Sequence, residues 1–147
     1  LKTNYINNGE IIKEEFKINQ NSELICNIDL IKKMFEGNIK EIYLNLKNDQ
    51  SDFSKKTLDI LNKKCPMSLA ISTKLIDDAK HKSLKECLEI EYQLSQKMVY
   101  RNDFDNGVNS MLVTKDHNPK WKPSNIDEIN IEELDKYFEI HTKKLYL

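Results

Sequence analysis

Apolar residues recur along this chain at three- and four-residue spacing rather than in alternation, which is the pattern of amphipathic helices. The first run, Leu24, Ile28, Ile31 and Phe35, predicts a helix with Ser22 as N-cap and Gly37 at its end. Asn38 and Glu41 make a capping-box variant ahead of Ile39, Ile42, Tyr43 and Leu46. A third helix is expected from Ser51 or Asp52, with Phe53, Thr57, Ile60 and Leu61 on one side. It breaks at Cys65-Pro66, because the residue before proline avoids the α region. Pro66 suits the first turn of the next helix, which presents Leu69, Ile71, Leu75 and Ile76. Ser83 and Glu86 form a strict capping box for the longest helix, to about Tyr100, with Leu84, Cys87, Leu88, Leu94 and Met98 at helical spacing. Phe104, Val108, Met111 and Leu112 continue the pattern, although Asn106-Gly107 between them is a turn signal. Asn118-Pro119 and Lys122-Pro123 mark an extended loop around Trp121, and Asn130 with Glu133 caps a last helix carrying Ile131, Leu134, Tyr137 and Phe138.

The expected fold is therefore all-α, with six or seven amphipathic helices over residues 22–140. Residues 1–21 are polar and irregular, with Asn7-Asn8-Gly9 as a turn signal, and read as an entry loop or linker. Residues 141–147 read as a short tail.

Composition supports this reading and narrows the function classes. Three Gly and three Pro are too few for a strand-and-turn architecture. A formal net charge of −1, with lysines spread along the chain, provides no concentrated basic face for nucleic acid. Arg101 is the sole arginine among 23 basic residues, and so strong a lysine bias resembles that of an AT-rich genome. No apolar run approaches the roughly 20 residues of a membrane helix. Cys26, Cys65 and Cys87 are odd in number, far apart and without a CxxC, so buried reduced thiols are expected rather than disulfides or zinc ligands. The chain opens on Leu1 without a signal or transit pattern, and reads as cut from something longer.

Three stretches resemble the 3-hydroxyisobutyryl-CoA hydrolase family of the crotonase (enoyl-CoA hydratase/isomerase) superfamily. Cys65-Pro66-Met67-Ser68-Leu69 followed by Leu75 looks like that family's Ser-Pro-Thr-Ser-Leu helix start. Leu88 to Gln96 resembles its helix with Glu-Tyr-Arg-Leu-Ser-Gln, with Gln93 in place of the usual arginine. The most specific stretch is Asp103-Phe104-Asp105-Asn106-Gly107-Val108, then Lys115-Asp116, then Pro119-Lys120-Trp121-Lys122-Pro123. The resemblance runs from about Ile25 to Phe138. It implies the C-terminal helical region of a crotonase-type protein without its β/α spiral core, and an acyl-CoA thioester hydrolase of valine breakdown as the parent enzyme. It implies a mitochondrial location too, which nothing in the chain itself encodes. CoA thioester would be the substrate, with no covalently bound cofactor. In the superfamily two backbone N–H groups stabilise a thioester-derived oxyanion, and hydrolase members add carboxylates. Those motifs are not matched here, so no catalytic residue is carried over and the fragment alone is expected to be inactive. An enoyl-CoA hydratase or isomerase is the alternative within the superfamily, and a non-enzymatic helical assembly module the alternative outside it. Acyl-CoA would be engaged through the missing N-terminal core, and the exposed helical face would favour self-association; neither nucleic acid nor membrane is an expected partner.

Four residues stand out as site candidates. The resemblance places Lys115 near the CoA phosphates, where a cation could pair with a phosphate oxygen. A solvated lysine at a helix C-terminus is the plainer reading. Glu91, between Leu88 and Leu94, is expected on the core side of its helix in a structural hydrogen bond or ion pair. Gly107 would let another backbone approach closely. Trp121 would pin its loop to the core rather than serve as a proline-rich ligand motif. Asp103 is read as a helix cap, the spacing from Asp103 and Asp105 to Gly107 failing the EF-hand pattern. His81, His117 and His141 lack metal-ligand spacing and default to surface or loop positions.

Overall fold

The computed structural model describes the backbone of residues 2–7, 10–15 and 22–139, and the side chains of 22–139. It divides into two compact units, residues 1–33 and 34–147.

The first unit corrects the loop expected at its start. Strands β1 (Lys2–Asn7) and β2 (Glu10–Glu15) pair antiparallel, with Tyr5 opposite Ile12 and Asn7 opposite Glu10. That register leaves Asn8-Gly9 between the strands, the dipeptide favoured by two-residue hairpins. Of the expected turn Asn7-Asn8-Gly9, Asn7 ends β1, while residues 8 and 9, like 16–21 of the entry loop, lie outside the described residues. The helix expected from Ser22 is two short pieces, α1 (Glu23–Cys26) and α2 (Ile28–Met34), interrupted at Asn27. Ser22 is the N-cap residue, but its side chain makes no capping bond. The predicted stripe is largely outward, since Leu24, Ile28 and Phe35 are exposed.

In the second unit, local capping chemistry sets the helix starts. Gly37 follows α2 at φ 91°, a left-handed conformation that costs glycine little. Asn38 caps α3 (Ile39–Asn48) with the full reciprocal capping box to Glu41. Ser51 caps α4 (Asp52–Leu61), and its oxygen accepts from the Ser54 backbone N–H. Pro66 is the first residue of α5 (Pro66–Ala79), and the Ser83–Glu86 box opens α6 (Leu84–Met98). The Asn106-Gly107 signal is overridden: α7 (Asn102–Val108) runs through it into a π-helical turn at Asn109–Val113. Asn130 caps α8 (Ile131–Phe138) by accepting from the Glu132 and Glu133 N–H groups. The tail expected at 141–147 lies outside the described residues, and the all-α expectation holds from residue 22 to 139.

Two buried clusters form the core. One joins Ile39 and Tyr43 of α3 to Ala70 of α5 and to Ile126 and Ile129 from the stretch before α8. The other joins Cys65, Met67 and Ile71 to Leu94, with Trp121, Tyr137 and Phe138 packed against it. The periodic stripes are only partly right. Ile60, Ile76, Leu84, Leu88 and Ile131 are exposed, while Met67 and Ala70 take the inward face of α5. The cysteines are not all buried as expected: Cys65 is, Cys87 is half-buried and Cys26 is exposed.

Ser54 is fully buried, and its Oγ has no hydrogen-bond partner among the described residues. A hydroxyl in that position carries its desolvation cost uncompensated. Ser54→Ala is therefore expected to raise stability by about 1 kcal/mol in urea unfolding. Lower stability would show that the hydroxyl is satisfied.

Candidate functional site: a clamp of α7 onto the 119–123 loop

The segment 101–123 folds into one connected structure built on one face of α7. Asp103, Asn106 and Gly107 stand three and four positions apart, so they share that face. Asp103 Oδ1 accepts from the Lys122 backbone N–H at 2.7 Å. Asn106 Nδ2 donates to the Lys120 carbonyl at 2.9 Å. A Cβ on Gly107 would stand 3.2 Å from the Trp121 ring, so the bare glycine makes room for the indole. Close approach at Gly107 is thus to a side chain, Trp121, rather than to the backbone expected. Trp121 packs on the second core cluster and its Nε1 donates to the Lys63 carbonyl at 3.4 Å, which ties the loop to the core.

Arg101 completes the clamp. Its Nε and Nη2 donate to Asp103 Oδ2 at 3.2 and 2.9 Å. Nη2 also donates to the Lys122 carbonyl at 2.6 Å, and Nη1 to Glu133 Oε1 at 3.1 Å and to the Tyr137 hydroxyl. The guanidinium lies 5.4 Å from the Tyr137 ring centroid. Burial works against its charge, but the hydrogen bonds to Asp103, Tyr137 and Glu133 outweigh burial and raise its pKa. Asp103 is not the cap expected of it. The N-cap of α7 is Arg101, without a side-chain capping bond, and Asp103 is buried in the first turn as an acceptor. Sequence reasoning missed Arg101. The available signal was its rarity: five donors in a rigid fork cannot be reproduced by lysine, so a lone arginine in a lysine-rich chain marks a fork-shaped demand.

The remaining candidates lie apart from this network. Glu91 is exposed, against the core position expected, because α6 turns Gln93 and Leu94 inward. Gln93 Nε2 instead donates to Glu89 Oε1 at 3.1 Å along the same helix. Lys115 is exposed and follows the helix end at φ 55°, the left-handed region. Asp116 beside it accepts from the Ser110 hydroxyl and, at 2.9 Å, from the Asn118 N–H. Those bonds hold its carboxyl below the usual range. His81 and His117 are exposed, and His141 lies outside the described residues.

An open cleft of about 340 Å³ runs beside Cys65, Ser68, Met98, Phe104 and Val108. The charged groups on its wall, Arg101 and Asp103, are committed to each other and to Lys122. The arrangement holds helices and loop together.

Ionisation adds a pH window. Hydrogen bonds from Ser83, Ser110 and Ser124 lower the pKa values of Glu86, Asp116 and Glu128. A carboxylate with a depressed folded pKa contributes stability above its unfolded value, near pH 4, and loses it as pH falls through the folded one. Burial raises the Tyr43 pKa, so that contribution is present below its unfolded value near pH 10 and lost as pH rises further. Stability is expected to plateau from about pH 5 to about pH 9 and to fall on both sides. Urea midpoints across pH 2–11 check this, and a midpoint still rising below about pH 4 would contradict it.

Comparison with known proteins fits this clamp to a family. The Enoyl-CoA hydratase/isomerase family profile matches residues 5–138. The human protein named 3-hydroxyisobutyryl-CoA hydrolase, mitochondrial, is 37% identical over 128 residues, 85% of this chain and 33% of that protein. The like-named protein of Dictyostelium discoideum is 38% identical over 116 residues, 77% of this chain and 30% of that one. The chain thus spans about a third of the length of these relatives. An enoyl-CoA hydratase from Rhodobacter sphaeroides 2.4.1 superposes with a TM-score of 0.76 at 21% identity, covering 85% of this chain and 37% of that one. A carnitinyl-CoA dehydratase from Mycobacterium thermoresistibile does so at 0.78 and 23%, covering 91% of this chain and 38% of that one. With its helices superposing on those enzymes and the profile spanning hairpin, core and clamp alike, the chain belongs to the enoyl-CoA hydratase/isomerase family.

Proposed function

We propose that this chain is the helical C-terminal part of a CoA-thioester hydrolase, whose whole protein cleaves 3-hydroxyisobutyryl-CoA to the free acid and CoA in mitochondrial valine breakdown. The observation that carries the reading is the 37% identity to the human hydrolase across 85% of the chain. The clamp residues have no free catalytic capacity, which fits a reaction performed by groups outside these 147 residues. The chain alone is then inactive. Incubation with 3-hydroxyisobutyryl-CoA and a thiol reagent is expected to show no CoA release, and measurable release would overturn that part of the reading.

Lys115 is the proposed contact to the CoA phosphates. An exposed lysine at a helix end can offer a charged hydrogen bond to a phosphate oxygen. In the full-length protein Lys115→Ala is expected to raise KM for the thioester by about tenfold with kcat unchanged, as for loss of uniform binding. An unchanged KM would leave Lys115 as a solvated lysine.

A second reading rests on the exposed apolar residues of α7 and the π-turn. Phe104, Val108, Met111 and Leu112 recur at helical spacing and are 50, 39, 48 and 68% exposed. Contiguous apolar surface of this kind seeks a partner, and the isolated chain is proposed to self-associate through it. Light scattering is expected to show mass rising with concentration, whereas a strictly monomeric mass would oppose the reading.

A further inference from the structure

We propose that α8 is a detachable strap, closed over the Met67–Ile71–Leu94 face by a three-cation clasp and able to open as a unit while α3–α6 remain folded. With only eight residues, α8 is too short to persist in water by itself. Its helicity depends on docking, and three cations from other elements take part in the docking.

The clasp has three points. At the C-terminal end of α8, the Lys97 ammonium donates to the carbonyls of Lys136, Tyr137 and Glu139 at 2.9, 3.1 and 2.7 Å. Those carbonyls belong to the end of a helix, where the last acceptors lack intrahelical partners and the dipole favours a cation. One side chain of α6 thus serves as the C-terminal cap of another helix. Arg101 binds Glu133 in the first turn of α8 and the Tyr137 hydroxyl in its last. Lys74 of α5 stands 3.7 Å from Asp135 and 5.1 Å from the Phe138 ring centroid. Beneath the clasp, Leu134, Tyr137 and Phe138 cover the second core cluster.

Both acidic partners reach solvent: the Asp135 side chain is 60% exposed and that of Glu133 49%. They are therefore screened by salt, unlike the core packing of α3 and α5. Release of the clasp leaves α8 with three packed apolar side chains and no cap at its C-terminal end. Its opening then separates from global unfolding, as segments with little buried support do.

Hydrogen exchange by mass spectrometry on the full 147-residue chain tests this. Lys97→Met is expected to accelerate exchange of the α8 amides by about tenfold or more, the cost of losing charged hydrogen bonds, with α3 and α5 unchanged. Lys97→Arg, which keeps the cation within reach of the carbonyls, is expected to restore protection. Salt at about 1 M should accelerate the same amides in the unaltered chain, which decides the matter if Lys97→Met does not fold. Acceleration of α8, α5 and α3 in step, or none in α8, would overturn the proposal.

Discussion

Asp103→Ala will destabilise the chain by about 3–5 kcal/mol, the usual cost of removing one partner from a buried ion pair. Arg101 and Asp103 side chains are only 13 and 5% exposed, so little solvent is available to replace the lost carboxylate. The substitution leaves the Arg101 fork without its main acceptor and the Lys122 N–H without Oδ1. Asp103→Asn keeps the shape and an acceptor for Lys122 but not the charge, and should fall between the two. Guanidinium unfolding checks this. A loss below about 1 kcal/mol for Asp103→Ala would mean that the carboxylate is solvated.

Met67→Ala is expected to cost about 2–5 kcal/mol, through lost transfer energy plus a cavity. Met67 is 0% exposed and stands among Cys65, Ile71 and Leu94, the cluster on which Trp121, Tyr137 and Phe138 pack. The gap would lie under both the pinned loop and α8, so neither side can collapse without losing the other's contacts. Met67→Leu, which nearly conserves volume, should cost less than about 1.5 kcal/mol. Equal losses for the two variants would indicate that a polar or backbone effect, rather than the cavity, decides the site.

Helix starts were legible because they are written locally. Asn38–Glu41, Ser51, Pro66, Ser83–Glu86 and Asn130 each satisfy orphan N–H groups or tolerate their absence within one turn. Which face turns inward is not local. Leu84 and Ile76 have the right spacing yet are exposed, because periodicity records suitability for burial and not whether a neighbouring element covers the position. The strands are hard to read because their apolar residues stand side by side, Tyr5-Ile6 and Ile11-Ile12, rather than alternating. Ile126 and Ile129 complete a core cluster from the stretch between the Trp121 loop and the last helix, where no periodic pattern marks an element.

The site was legible in identity and not in role. The residues that carry the family resemblance, Asp103, Gly107, Trp121 and Lys122, are the ones that the structure joins. Their spacing suggested a cap, a close backbone approach and a packed tryptophan. Only the fold shows that Asp103 reaches across to Lys122 and that Gly107 faces Trp121. Glu91 misled because an acidic residue between two leucines looks inward on a helical wheel, whereas Gln93 and Leu94 occupy the buried side.

The central claim is that segment 101–123 is a structural clamp held by the Arg101–Asp103 pair. A double-mutant cycle on Arg101→Met and Asp103→Ala tests it most directly. The double variant is expected to be more stable than the sum of the single losses predicts, by about 1.5 kcal/mol or more, because removing both charges leaves neither one buried alone. Additive losses, agreeing within about 0.5 kcal/mol, would contradict the clamp.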